Sequence, residues 1–288
     1  MPTRNAGLEH VIATLHAQVA AIRAREAGTR RGRDPEDLRK MRVAVRRLRA
    51  VLRASGPLFD RKWVKGLRSE LDWLGTALGE ARDLDVIRVY VRSDLTALAG
   101  AKRKAGRGLL RRVDADRAQA EATLRRVLDG RRYARLLSRL DTALAAPRAA
   151  STGVSLLGNA AVEFKKLRRA VRALAGHPST DDLHEIRIKV KRARYAAELV
   201  RAAAGELGER FIDQTKTVQD ILGEHQDAVV LEEYLHEGID RREAEPAFEQ
   251  QLLERQRRRR KKSRTAFFVE WPKLERRGRK LWSSAPMP

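Results

Sequence analysis

The chain has 288 residues, no cysteine and a formal net charge of +24, from 62 Lys and Arg residues against 38 Asp and Glu residues. This length suffices for a large hydrophobic core without disulfides or a structural zinc ion. No stretch approaches the ~20 apolar residues of a membrane-spanning helix, so we expect a soluble, cytoplasmic protein. The positive charge favours a polyanionic partner: nucleic acid, a phosphate polymer or an anionic membrane surface.

The sequence predicts an all-α fold, because Ala, Leu, Arg and Glu dominate and the alternating pattern of β-strands is missing. In chain order, the predicted helices cover residues 7–27, 35–54, 60–79, 82–98, 102–128, 131–145, 156–175, 181–204, 207–222, 226–239 and 244–281. Residues 147–155, rich in Ala, Ser, Thr and Gly, form the best candidate linker and lie near the middle of the chain.

Two segments of the chain occur twice. The basic segment from Glu36 to Arg49 matches the one ending at Arg194 at an offset of 145 residues, and Leu78 to Val86 matches Leu222 to Val230 at an offset of 144. Two independent matches at nearly one offset indicate a duplicated helical module. We therefore expect two helical bundles that pack about a pseudo-twofold axis, with a site at their shared interface.

Helical spacing divides each basic segment into an apolar seam and a neighbouring basic stripe. The seam of the first copy contains Leu38, Met41, Val45, Leu48 and Leu52, and that of the second contains Leu183, Ile186, Val190, Ala193 and Ala197. The first stripe contains Arg39, Arg42, Arg46, Arg49 and Arg53, and the second contains His184, Arg187, Lys191 and Arg194. The first four residues of a stripe extend over ~15 Å of helix.

The composition of the stripes favours phosphate binding. No acidic residue occurs between positions 39 and 53, whereas a solvated helix face usually mixes charges of both signs. Guanidinium groups present forked donors that match phosphate oxygens. The alternative interpretation is a solvated basic face that forms salt bridges with other helices.

Few other residues suggest chemistry. No close pair of histidines has the spacing of metal ligands, and no nucleophile motif or glycine-rich phosphate loop is present. Asp83, Asp85 and Asp227 are expected to orient the basic stripes or to cap helices, and Gly79 and Gly223 to end helices or to allow close packing. The sequence thus predicts neither a metal site, nor a cofactor, nor a catalytic residue.

Eight of the ten residues from Arg255 to Arg264 are basic, and Phe267, Phe268 and Trp271 follow them. Two interpretations stay open for this run. It could be a solvated basic face with an aromatic core stripe behind it, or a further part of an anion site.

These motifs resemble the CHAD family, whose helix motif is His-x-x-Arg-Val-x-x-Arg-Arg-x-Arg, found once in each half. Here the second copy begins at His184 and the first at Arg39, so the histidine is absent from one copy. The segment from Leu78 to Val86 is also similar to the family. The similarity covers about residues 7–282, which implies one domain with repeats at about 7–146 and 156–282, joined by the linker at 147–155.

The resemblance implies two pseudosymmetric helical bundles around a basic groove or pore, and binding of inorganic polyphosphate at bacterial polyphosphate granules. Carried over by position, the binding residues are Arg39, Arg42, Arg46, Arg49, His184, Arg187, Lys191 and Arg194. Arg47 and Arg192 fill the paired basic position of the family motif but point off the main stripe, and Arg53 is a further candidate. Arg39 in place of histidine weighs against metal chelation and leaves phosphate binding intact.

Three functions are compared on this basis. The favoured one is non-catalytic binding of polyphosphate. The second is binding of a nucleic-acid backbone, for which no recognised motif is present and aromatic residues are only 5% of the chain. The third is a metal-assisted phosphohydrolase that would use carboxylates such as Asp83 and Asp227. Oligomeric state and polyphosphate chain length do not follow from the sequence.

Overall fold

The computed structural model of the protein describes residues 4–96, 100–150, 155–240 and 246–283. It confirms the all-α prediction, and the described residues form no strand beyond an isolated bridge between Phe59 and Ala149. The α-helices are α1 (Arg4–Arg31), α2 (Pro35–Ala54), α3 (Arg61–Thr96), α4 (Gly100–Asp129), α5 (Arg131–Ala145), α6 (Leu156–Arg172), α7 (Thr180–Leu199), α8 (Arg201–Asp240) and α9 (Pro246–Trp282), with a short 3₁₀ helix at Gly56–Leu58.

Two predicted helix breaks are wrong. The helices predicted at 60–79 and 82–98 form the single helix α3, and those predicted at 207–222 and 226–239 form the single helix α8. Gly79 and Gly223 therefore lie inside helices, because glycine only weakens a helix and packing along its length outweighs that cost. Asp83, Asp85 and Asp227 consequently cap no helix.

A break does occur near the boundary between the helices predicted at 181–204 and 207–222. Helix α7 ends at Leu199 and Gly205 interrupts the first turns of α8, with a φ of 55°. This is the left-handed region of backbone space, which a glycine adopts at little cost. The predicted positions 97–98 and 244–245, and residues 151–154 of the candidate linker, lie outside the described residues.

Each half of the chain has its own hydrophobic core. Helices α1 to α5 bury the first core, which includes Met41, Leu48 and Leu71. Helices α6 to α9 bury the second core, which includes Leu183 and Val190. The two predicted apolar seams are buried in these cores, so the basic stripes beside them are directed toward the edge of each core.

Two contact regions join the halves. Helix α2 packs against α7, and Ala196 and Leu199 of α7, with Val200 just after it, belong to the first core. At the other ends of the long helices, a third cluster combines Ile87 and Val113 of the first half with Leu231, Leu235 and other residues of the second. The relation of the halves by a pseudo-twofold axis stays a prediction.

The described part of the candidate linker is attached to the first half. The amide of Asp60 donates to the Arg148 carbonyl over 2.8 Å, and the amide of Ala150 donates to the Leu58 carbonyl over 2.8 Å. In the part of the chain that the structure describes, we find no helix with both the length and the apolar character needed to span a membrane.

Candidate functional site

Local signals in the sequence begin the two helices of the site. The side chain of Asp34 accepts a hydrogen bond from the Glu36 amide, and Pro35 opens α2. Ser179 and Asp182 form a reciprocal capping box at the start of α7. These caps satisfy amides that a helix start leaves without partners. They fix where each helix begins, and hence the direction of every side chain along it.

Four cations of the two stripes converge where α2 packs against α7. Arg42 and Arg46 come from α2, and Arg187 and Lys191 come from α7. Burial, together with repulsion from the other members of this group, lowers the pKa values of Arg42, Arg187 and Lys191. We call these four residues the central cation cluster.

Two carboxylates adjoin the central cation cluster. Asp83 of α3 lies 3.8 Å from Arg42, between Oδ1 and Nη2, and Asp227 of α8 acts most strongly on Arg187. Partial burial raises the pKa of both carboxyls, and the neighbouring guanidinium groups oppose that rise. Both acids occupy matching positions of the second repeated motif, so each half supplies one of them.

The central cation cluster is short of negative charge. Burial, followed by repulsion from Arg187, Arg46 and Arg42, lowers the pKa of Lys191 to about 6. Burial also lowers the pKa values of Arg42 and Arg187. The Nε atoms of Arg46 and Arg187 are buried and have no hydrogen-bond partner among the described residues. Buried donors without partners are costly, so an anion that accepts from them would be bound favourably.

The other four predicted binding residues have partners of their own. Arg39 is exposed and pairs with Glu36, and Arg49 pairs with Asp72 of α3. His184 lies 2.6 Å from Gln226, between Nδ1 and Oε1. Arg194 donates to Glu198 over 2.8 Å and to Gln219 over 3.0 Å. Salt bridges thus engage Arg39, Arg49 and Arg194 on the flanks and Arg42 in the centre, whereas Arg46, Arg187 and Lys191 form no close ion pair among the described residues.

The off-stripe residues Arg47 and Arg192 each join the stripe of the opposite helix. Arg47 lines a depression together with Arg194 of α7. Arg192 interacts electrostatically with Arg53 of α2 and with Arg68 of α3. Because α2 and α7 pack together, a side chain that leaves its own stripe reaches the other one. Both positions therefore extend the basic surface.

The sequence model of the CHAD domain matches residues 13–236 of the chain.

The chain belongs to the CHAD family.

Two uncharacterized proteins from different strains of Mycobacterium tuberculosis are each 35% identical to it over 208 residues. This match covers 68% of the present chain and 39% of each relative, so the chain spans about two fifths of their length.

Two solved structures share the CHAD fold. PptA from Streptomyces chartreusis matches with a TM-score of 0.78 at 22% identity, over 92% of this chain and 98% of that one. The CHAD domain from the plant Ricinus communis matches with a TM-score of 0.58 at 26% identity, over 97% of this chain and 92% of that one.

The sequence did not predict several cations that lie near the candidate site of this CHAD domain. Arg82 interacts with Arg42 and lies in the second repeated motif, where its position beside Asp83 was an available signal. Arg68 of α3 approaches Arg49 and Arg53, and Arg201 and Lys216 of α8 line the depression with Arg47. These three residues carry no signal in the repeats, because packing between distant helices brings them to the site.

The basic run of α9 is partly neutralised. Arg255 donates to Asp94 over 2.6 Å, and Arg259 donates to Glu224 over 2.7 Å. Phe267 and Trp271 are buried in the second core, as an aromatic core stripe requires, whereas Phe268 is 42% exposed. Within the described residues, no group of three or more His, Asp or Glu side chains could hold a metal ion.

Proposed function

We propose that this CHAD domain binds inorganic polyphosphate at the central cation cluster. One observation carries the proposal: Arg42, Arg46, Arg187 and Lys191 converge beside Asp83 and Asp227, and the buried Nε atoms of Arg46 and Arg187 have no hydrogen-bond partner among the described residues. Phosphate oxygens of a bound chain would accept from these donors in charge-assisted hydrogen bonds. Arg47, Arg192 and Arg53 extend the basic surface for neighbouring phosphates.

A phosphate polymer suits this surface better than a nucleic acid does. The polymer carries charge on every unit and no base, so repeated cations are sufficient to bind it. Aromatic residues are 5% of the chain, which provides few platforms for stacked bases. Affinity would depend on the release of counterions and should therefore fall steeply as salt concentration rises.

In this proposal the protein binds polyphosphate without cleaving it. Asp83 and Asp227 hold the guanidinium groups of Arg42 and Arg187, which is a positioning role. Binding of this kind would also recruit the protein to polyphosphate granules.

The test is a titration of long-chain polyphosphate at several salt concentrations. Replacing Arg42, Arg46, Arg187 and Lys191 with glutamine should reduce affinity by roughly a hundredfold or more, since each lost charged hydrogen bond contributes about 1.5–3 kcal/mol. The matched control replaces four exposed cations, Lys40, Arg125, Arg258 and Lys262, with glutamine. It replaces the same number of basic side chains and should leave most of the affinity. Equal affinities of the two variants would refute the site.

Two further measurements separate the competing functions. Duplex DNA or RNA is added to the polyphosphate complex at equal phosphate concentration, and displacement of polyphosphate would favour nucleic acid as the ligand. Phosphate release is followed with Mg²⁺ or Mn²⁺ present. Release that depends on Asp83 and Asp227 would replace binding with hydrolysis as the function.

A further inference from the structure

A second basic pocket lies at the start of α7, apart from the central cation cluster. Ser179 and Thr180 of α7 and His225 of α8 form one side. Four cations of α9 form the other side: Arg257, Arg260, Lys261 and Arg264. These positions follow the i, i+3, i+4, i+7 spacing, so the helix itself directs all four side chains to one face.

Three of the four cations of this pocket form no close ion pair within the described residues, although Glu232 also acts electrostatically on Arg257. Arg260 is held in place, since its Nε lies 3.1 Å from Oε1 of Glu232 and its Nη1 donates to Thr180 Oγ1 over 3.1 Å. Arg257, Lys261 and Arg264 form no ion pair within the described parts of the chain, and no carboxylate lines the pocket. The lining of the pocket therefore carries a net positive charge, which Glu232 offsets only in part.

The start of α7 adds backbone donors. The capping box uses the amides of Ser179 and Asp182. The amides of Thr180 and Asp181 have no partner among the described residues, as expected for the first turn of a helix. Together with the helix dipole, such amides favour an anion. Asp181 is exposed and does not line the pocket, so it does not fill this position.

His225 supplies an independent indication of a ligand. It is only 5% exposed, it lines the pocket, and no described residue forms a hydrogen bond with its imidazole. Burial and the nearby Arg260 and Arg264 lower its pKa to about 4, so the ring is neutral at pH 7 and carries one N–H donor. The ring nitrogens are not sealed inside the protein and have no partner among the described residues, so the N–H is free to donate to a phosphate oxygen in the pocket.

At the matching helix start of the first half, an acidic side chain lies close to the backbone. Before α2, the Glu121 carboxyl carbon lies 3.5 Å from the place where a Cβ on Gly32 would be, and Glu121 pairs with Arg117 at 2.6 Å. The pocket lies outside the repeated stripes, since the cations on α9 belong to neither repeated motif.

We propose that this pocket is a second anion site, which binds a single phosphate group. That group is either free inorganic phosphate or the terminal phosphate of a short phosphoanhydride chain. The pocket lies seven residues before Arg187, or about 10 Å along α7, so it binds its phosphate independently of the central cation cluster.

The test follows the His225 imidazole by NMR while the full chain is titrated with inorganic phosphate and, separately, with tripolyphosphate. The His225 signals are identified by their loss in the His225→Gln variant. We expect a saturable shift with either ligand. A shift with tripolyphosphate alone would assign the site to chain ends, and a shift with both would assign it to any phosphate group. No saturable shift with either ligand would overturn the proposal.

Two double variants on α9 provide a matched comparison. Arg257→Ala with Arg264→Ala should weaken the response at least tenfold, as expected for the loss of charged hydrogen bonds. Arg258→Ala with Lys262→Ala removes the same charge from exposed positions of the same helix and should change nothing. An unchanged response in the first double variant would contradict the pocket. Melting temperatures verify that both variants are folded.

A third variant separates this proposal from the proposed function. With Arg42, Arg46, Arg187 and Lys191 replaced by glutamine, the His225 response to inorganic phosphate should persist while long-chain binding is lost. Loss of the His225 response in this variant would show that the pocket is not an independent site. If this variant still binds long-chain polyphosphate, the result would contradict the proposed function and leave the second anion site unaffected.

Discussion

The ionisation of Lys191 is the residue-scale feature with the clearest consequence. Three arginines and burial lower its pKa to about 6, from an ordinary value of 10.5. At neutral pH the amine is therefore mostly uncharged in the free protein. A bound anion favours the charged form and raises the pKa again, so binding and protonation of Lys191 support each other.

We therefore expect long-chain polyphosphate to bind more tightly as the pH falls from about 8 to about 6. The sign follows because the complex binds more protons than the free protein in this range. Calorimetry in buffers of different ionisation enthalpy should show uptake of up to about one proton at about pH 7.5.

The controls for this pH effect come from the same helix. Lys191→Arg keeps the charge at all of these pH values, so it should abolish proton uptake and flatten the pH dependence. Lys189→Arg should leave both unchanged, because Lys189 pairs with Glu185 at 2.9 Å. Proton uptake that survives in Lys191→Arg would assign the effect to another group.

At the scale of helices, the packing of α2 against α7 produces a surface that neither helix has alone. Arg47 lies with Arg194, and Arg192 lies near Arg53, so each helix contributes a cation beside the stripe of the other. Arg68 of α3 adds further positive charge, whereas Lys216 of α8 pairs with Asp213 at 2.8 Å. The surface available to a polyanion is thus larger than the central cation cluster.

Replacing Arg47 and Arg192 together with alanine should weaken binding of long chains and lower its salt dependence. The slope of log affinity against log salt should decrease by roughly 0.7–0.9 for each lost phosphate contact. Binding of pyrophosphate, which is too short to reach both residues and the centre, should change little.

The control for this element-scale prediction is Arg125→Ala with Arg258→Ala, two exposed cations on α4 and α9. It removes the same net charge and should keep the wild-type slope. A slope that decreases equally in both variants would mean that net charge, and not the position of Arg47 and Arg192, governs the salt dependence.

At the scale of the whole molecule, the third apolar cluster holds the two halves together. Leu231 and Leu235 of α8 are at most 1% exposed and pack with Ile87 and Val91 of α3 and with residues of α4 and α9. Together with the α2–α7 contact, this cluster connects the halves at two separate places. We infer that the halves unfold together.

Leu235→Ala should reduce the free energy of unfolding by about 2–5 kcal/mol, because it leaves a cavity in a packed core. Denaturant titration measures the loss, and hydrogen exchange should show that amides of both cores become less protected together. Val89→Ala on α3, where the side chain is 64% exposed, should change little. Loss of protection in the second core alone would contradict joint unfolding.

The sequence by itself determined the features that depend on local helix geometry. Periodicity separated the buried seam from the basic stripe, and the caps at Asp34 and Ser179 fixed where both helices begin. It also supplied Arg42, Arg46, Arg187 and Lys191 as candidates, because residues three and four apart share a helix face.

Only the tertiary structure decided which cations stay without counterions. Asp72, which pairs with Arg49, and Asp83, which lies near Arg42, are 23 and 41 residues away along the chain and lie on another helix. Packing along their length also keeps α3 helical at Gly79 and α8 helical at Gly223, where local signals predicted breaks. A stripe follows from the spacing along one helix, whereas charge compensation depends on which side chains neighbouring helices bring within a few ångströms.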